Sequence, residues 1–125
     1  MEVFDVAIVG AGIAGSATAL ALGKDVRTLL IDPVEAPVWS IGESLPGAAD
    51  LLLRDLGLED QFLQAGHPKS MGRSSAWGSD ELEISDGFLN PQGADWRLYR
   101  KRFNRDLRKA ANSIAIPVIG SSGRI

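Results

Sequence analysis

The run Gly10-Ala11-Gly12-Ile13-Ala14-Gly15 follows a short apolar segment, Val3 to Val9, and leads into an alanine- and leucine-rich stretch, Ile13 to Leu22. A continuous β-branched run predicts a strand buried on both faces of a parallel sheet. The following stretch predicts a helix, with Gly23 placed as its C-terminal cap. The glycines make the junction possible. Gly10 lets the chain turn sharply, Gly12 lets the backbone approach a ligand, and Gly15 lets the helix pack tightly on the strand. Alone, G-x-G-x-x-G is a weak pattern. Between a strand and a helix it presents helix N-terminal N–H groups and a positive dipole end to a pyrophosphate. Arg27 to Ile31 predicts a second strand ending in Asp32-Pro33, so the first 32 residues form a β-α-β unit with parallel strands. A carboxylate at Asp32 is placed to accept both hydroxyls of an adenosine ribose and to repel a 2′-phosphate.

Beyond a proline-containing loop at 33–43, Ser44 is positioned to cap a helix with Pro46 in its first turn. Leu45, Ala48, Ala49, Leu52, Leu53 and Leu56 form an apolar stripe at helical spacing, and Gly57 ends it. Residues 59–65 predict further helical turns. Ser74 to Trp77 and Glu81 to Ser85 predict two short antiparallel strands around Gly78-Ser79-Asp80. Residues 86–96 read as loop. Tyr99 to Asn112 predicts a helix with Tyr99, Phe103, Leu107, Ala110 and Ala111 on one face, and Ile114 to Ile119 a third parallel strand. A doubly wound sheet usually has more strands. The expectation is therefore one incomplete α/β domain over 1–125, an N-terminal fragment, with a small antiparallel β insertion at 66–96.

Composition narrows the chemistry. The chain has no cysteine and one histidine, His67, which leaves no thiolate site and no His-rich metal site. Its net charge of −3 makes no general case for nucleic acid or membrane. The Met1-Glu2-Val3-Phe4-Asp5 start carries acids where an export signal needs bases, so the cytoplasm is the default. Arg97, Arg100, Lys101, Arg102, Arg105, Arg108 and Lys109 make a basic helix. Its apolar stripe must face the core, so most of these charges are expected on the solvated face. Arg100, at the helix entry beside the stripe, is the one expected to point toward phosphates. His67 and Lys69 lie in a loop with Gly66 and Pro68, where exposed polar residues are normal; either is also chemically able to serve as acid, base or donor. Trp77 and Trp96 are expected to pack. Gly42-Glu43-Ser44 reads equally as an ordinary cap or as a contact to a ligand edge.

Asp5 to Ser16, followed by Leu30-Ile31-Asp32-Pro33, resembles the start of FAD-dependent monooxygenases with a glutathione-reductase-type Rossmann-like fold. Ile41-Gly42-Glu43-Ser44-Leu45-Pro46 resembles the Gly-Glu-Ser/Ala signature of flavin-dependent tryptophan halogenases. Ser75 to Ser79 and Trp96 to Asn104 are similar to a halogenase-like branch that includes flavoprotein maturation partners of quinone-cofactor amino-acid oxidases. Tyr99 and Asn104 stand where that branch usually has aspartates. The resemblance implies FAD as cofactor, held by Gly10, Gly12, Ile13, Ala14, Gly15, Asp32, Pro33, Gly42, Glu43, Ser44 and Arg100, with Ser44 near the flavin. Halogenases carry a reactive lysine after the Gly-Glu-Ser segment, and Lys69 falls in the comparable region, although its neighbours Gly66 to Ser70 depart from the pattern. The implied activity is oxidation with reduced flavin and oxygen, as in monooxygenases and halogenases, on a small-molecule substrate or a client protein. An FAD-dependent reductase of the isoprenoid-saturase type is the first alternative. A non-catalytic nucleotide-binding fragment, associating with a partner or with itself through an open sheet edge, is the second.

Overall fold

The computed structural model describes residues 1–32, 41 and 43–120. The elements run β1 (Val6–Val9), α1 (Ile13–Leu22), β2 (Thr28–Asp32), β3 (Glu43–Leu45), α2 (Ala49–Asp55), α3 (Glu59–Gln64), β4 (Lys69–Ser70), β5 (Gly72–Ser75), β6 (Glu83–Asp86), a 3₁₀ turn at Gly87–Leu89, β7 (Asp95–Leu98), α4 (Arg100–Ser113) and β8 (Val118–Gly120). They divide into two units, one comprising 1–41 and 100–125 and the other Gly42–Tyr99.

The first unit is a parallel sheet in the order β1-β2-β8, the 3-2-1 half of a Rossmann arrangement. Helix α1 packs on α4 and on β2. Ala11, Ala19, Leu30, Ala111 and Ile116 are buried together, with Ile8, Leu20, Ile114 and Val118 around them. Alanines at the centre let helix and sheet backbones come close, while Leu30 and Leu107 each contribute about 1.5–3 kcal/mol by burial. The expectation that β1 is buried on both faces is not met. Its residues alternate between half-buried and exposed, and Val9 is exposed, because only the α1 side is covered among the described residues.

The strand starts are tied by charge. Asp5 accepts from the Arg27 backbone N–H at 3.1 Å, from Nε at 3.0 Å and from Nη2 at 2.8 Å. In the other direction, the Asp5 N–H donates to the Arg27 carbonyl at 2.8 Å. The Arg27 guanidinium holds the Asp5 carboxyl below its usual range. A depressed folded-state pKa stabilises the fold above the unfolded value, and that contribution is lost as pH falls through the folded value.

Helix α4 closes in a left-handed turn. The Ile116 N–H donates to the Ala111 carbonyl and the Ala115 N–H to the Asn112 carbonyl, both at 3.0 Å, with Ala115 at φ 66°. The third strand is consequently shorter than the expected 114–119 run, because its first residues form this turn.

In the second unit β7 is the central strand of an antiparallel sheet, β3-β7-β4. The alternation in Asp95-Trp96-Arg97-Leu98 buries Trp96 and Leu98 and marks a strand whose first two residues fall in the expected 86–96 loop. Ser44 does not cap a helix: it is the middle residue of β3, and α2 begins at Ala49 with no side-chain cap. Pro46 supplies a reason, since a residue before proline is pushed to extended backbone. Of the predicted stripe, Ala49 and Leu53 are buried but Leu52 is 63% exposed. Strands β5 and β6 form the expected antiparallel pair, displaced from the predicted bounds, and Trp77 is 95% exposed rather than packed.

Two outcomes are expected. Ala115→Gly should stabilise the chain by about 0.5–1 kcal/mol in denaturant unfolding, since relief of a left-handed alanine exceeds the added unfolded-state entropy; a lower midpoint would contradict the strained turn. In acid titrations of thermal stability, Asp5→Asn should flatten the loss seen below the normal carboxylate range, and an unchanged acid limb would remove Asp5 from that role.

Candidate functional site

The site in the first unit is built at the junction of β1 and α1. Gly10 adopts φ +104°, a conformation that side chains rarely allow, and its N–H donates to the Ile31 carbonyl at 2.7 Å. A Cβ on Gly15 would run into the Gly10 carbonyl and come within 3.2 Å of Ile8 Cγ2, so this glycine sets how closely the helix meets the strand. Gly12 differs from both. Its φ of −77° and ψ of −165° suit any residue, and a Cβ there meets nothing within 4 Å. Among the described residues, nothing in the protein requires glycine at that position; the open space lies beside a helix start that has no side-chain cap. The first-turn N–H groups, those of Ile13 and Ala14 among them, are of the kind that bind an anion at such a start.

Asp32 ends β2 and its carboxylate is half-buried. Arg108 Nη2 meets Asp32 Oδ2 at 2.7 Å, and Arg108 Nε donates to the Ala11 carbonyl at 2.9 Å. Buried Ser16 donates to that same carbonyl at 3.2 Å. Neither residue was singled out as part of the site from the sequence. Arg108 lies far along the chain among other basic residues, and only the packing of α4 on α1 reveals its direction. Arg100 opens α4 and is half-buried. Near it, Asn104 Oδ1 is buried with no hydrogen-bond partner among the described residues. Pro33 and Gly42 lie outside the described residues.

In the second unit, Glu43, Ser44, Lys69, Arg97 and Tyr99 line a cavity of about 490 Å³. Ser44 pairs with Arg97 and Lys69 with Trp96, so the two pairs lie on opposite faces of the sheet. Lys69 Nζ stands 4.5 Å from the Trp96 ring centroid, a cation–π contact. Trp96 packs as expected: its ring meets Phe62 edge-on at 5.1 Å and its Nε1 donates to Asp50 at 2.7 Å. His67 is not the exposed loop residue expected from the sequence. It is 4% exposed, lies 4.8 Å from Phe62 by ring centroids, and its Nδ1 accepts the Tyr99 N–H at 3.2 Å. This places His67 in the support of the β7 end. Among the described residues, no group of three or more His, Cys, Asp or Glu side chains is arranged to hold a metal, and no helix is long and apolar enough to cross a membrane.

A glycine turn into an uncapped helix, with a carboxylate at the end of the adjacent parallel strand, defines a dinucleotide-binding protein of the Rossmann type. The FAD binding domain family matches residues 3–120, and this chain belongs to that family. A brominase of 1H-pyrrole-2-carbonyl-[peptidyl-carrier protein] from Pseudoalteromonas luteoviolacea is 34% identical over 109 residues, covering 86% of this chain and 26% of the relative. Squalene monooxygenase 1,1 of Brassica napus is 48% identical over 117 residues, covering 88% and 23%. The solved myxobacterial chondrochloren halogenase matches with a TM-score of 0.80 at 29% identity, over 96% of this chain and 29% of its own. The chain thus spans about a quarter of the length of the relatives it matches.

The cofactor is FAD, and the residues present fit its ADP half. The open space at Gly12 and the uncapped α1 start suit a pyrophosphate, and Asp32 suits a ribose. Gly12→Val should leave the fold intact, since its backbone conformation is ordinary, and should weaken FAD binding by about a hundredfold or more, roughly 3 kcal/mol. Flavin retained at the wild-type level in a purified, folded variant would remove the loop from the site.

Proposed function

We propose that this chain is the FAD-holding part of an oxidoreductase that uses reduced flavin and molecular oxygen, in the manner of monooxygenases and halogenases. The observation that carries the reading is the uncapped α1 N-terminus behind Gly12, with Asp32 at the end of the neighbouring strand. Relatives named as brominase, halogenase and squalene monooxygenase favour oxygen chemistry over the saturase-type alternative. When bound, the flavin supplies the redox chemistry. The chain's own groups bind and orient it: the α1 N–H groups hold the phosphates, Asp32 the ribose, and Arg100 adds positive charge near the entry of α4.

Glu43, Ser44 and Lys69 form a second candidate region in the other unit. Lys69 is the candidate catalytic group, since an ammonium on the rim of a cavity can donate a proton or a hydrogen bond to a reacting molecule. The substrate is a small molecule or a client protein, and the compartment is the cytoplasm. Among the described residues β1 is paired on one side only, which offers an edge for self-association.

Mass spectrometry of products made by the whole protein with FAD and a flavin reductant tests the reading. Two probes taken from the relatives' chemistry are squalene under ¹⁸O-labelled oxygen and pyrrole-2-carboxylate with bromide. Incorporation of label or of bromine is expected. Saturation of a double bond in an isoprenoid probe, with neither label nor bromine incorporated, would replace this reading with the reductase.

A further inference from the structure

We propose that Arg108 is a positioning residue for the ADP-ribose half of FAD, acting as a lock between the glycine loop and the ribose carboxylate. The role rests on the FAD reading of the loop. The side chain comes from α4, an element far from either partner in sequence, and its guanidinium spans two acceptors. Nε donates to the Ala11 carbonyl at 2.9 Å, and Nη2 meets Asp32 Oδ2 at 2.7 Å. Nε and Nη2 lie on one edge of a rigid plane, so this edge fixes the spacing between a carbonyl in the β1–α1 turn and a carboxylate at the end of β2.

Both ends of that bridge matter for the ligand. Ala11 is fully buried, and its carbonyl is held on the protein side by Arg108 and by Ser16 Oγ at 3.2 Å. A loop carbonyl fixed there does not turn toward a pyrophosphate, while the N–H groups beyond it stay directed outward. At the other end, Arg108 engages one oxygen of Asp32. Among the described residues Oδ1 accepts no hydrogen bond, which leaves it for a ribose hydroxyl. A guanidinium is charged at every accessible pH, so the carboxylate keeps a permanent counter-charge in a half-buried setting. Arg105 shows the contrast within the same helix: it is 60% exposed and pairs with its neighbour Asp106 at 3.1 Å.

The test is a titration of the chain with FAD, followed by flavin fluorescence, in a double-mutant cycle with thermal midpoints recorded alongside. Arg108→Met and Asp32→Asn should each weaken FAD binding by about tenfold or more. The double variant should lose little beyond the larger single effect, because each variant removes the same bridge. Arg108→Lys should not restore affinity, since one ammonium cannot span both acceptors, and Arg105→Met should bind as wild type. If Arg108→Met fails to fold, Arg108→Lys carries the same test. Losses that add fully, or a lysine variant with wild-type affinity, would overturn the lock. A wild-type chain that takes up no FAD would overturn the cofactor reading and this role with it. Wild-type uptake together with unaffected Arg108 variants would overturn the role of Arg108 alone.

Discussion

The contact between the first turn of α1 and the Gly10 carbonyl governs the geometry of the nucleotide site. No side chain fits between them at Gly15, so the helix comes down directly onto the strand and its N-terminus is aimed by main-chain packing. Gly10 provides the backbone angle that makes the turn, and the Gly10 N–H bond to Ile31 ties that turn to the neighbouring strand. The buried alanines at positions 11, 19 and 111 extend the same logic. Small side chains keep the backbones close and leave the site to be shaped by main-chain dipoles, which suits a phosphate better than a mobile cation would.

Helix α4 serves two purposes with two faces. Phe103, Leu107 and Ala111 are buried, whereas Lys101, Arg102, Arg105 and Lys109 are exposed. Arg108 belongs to neither group. It sits at the margin of the buried stripe, where a long side chain can lay its stem along apolar surface and bring its head to the carboxylate of Asp32. A helix that contributes to the core therefore also adjusts the electrostatics of the loop.

The second unit is organised around Trp96. Its ring carries Phe62 at its edge and the Lys69 ammonium nearby, and its indole N–H is satisfied by Asp50. His67 braces the end of the same strand through the Tyr99 backbone. The unit's polar residues thus divide by the face of β7 they share: Lys69 lies with Trp96, and Ser44 with Arg97.

The β-α-β unit, the turn at Gly10, the close packing at Gly15 and the basic, amphipathic character of α4 were legible in the sequence. These follow from short-range rules: strand length, helix period and the absence of a Cβ at fixed offsets. Helix α1 has the predicted bounds, and β2 is displaced by one residue. Long-range packing set four other features: Ser44 lies in a strand, Trp96 to Leu98 form the centre of a sheet, His67 is buried and Trp77 is exposed. The first three depend on partners distant in sequence: β3 and β4 on β7, and His67 on Tyr99. Arg108 shows the same limit in a single side chain. Its position on the helix was legible, but its direction was set by the packing of α4 against α1, which brings it to Ala11 across 97 positions of sequence.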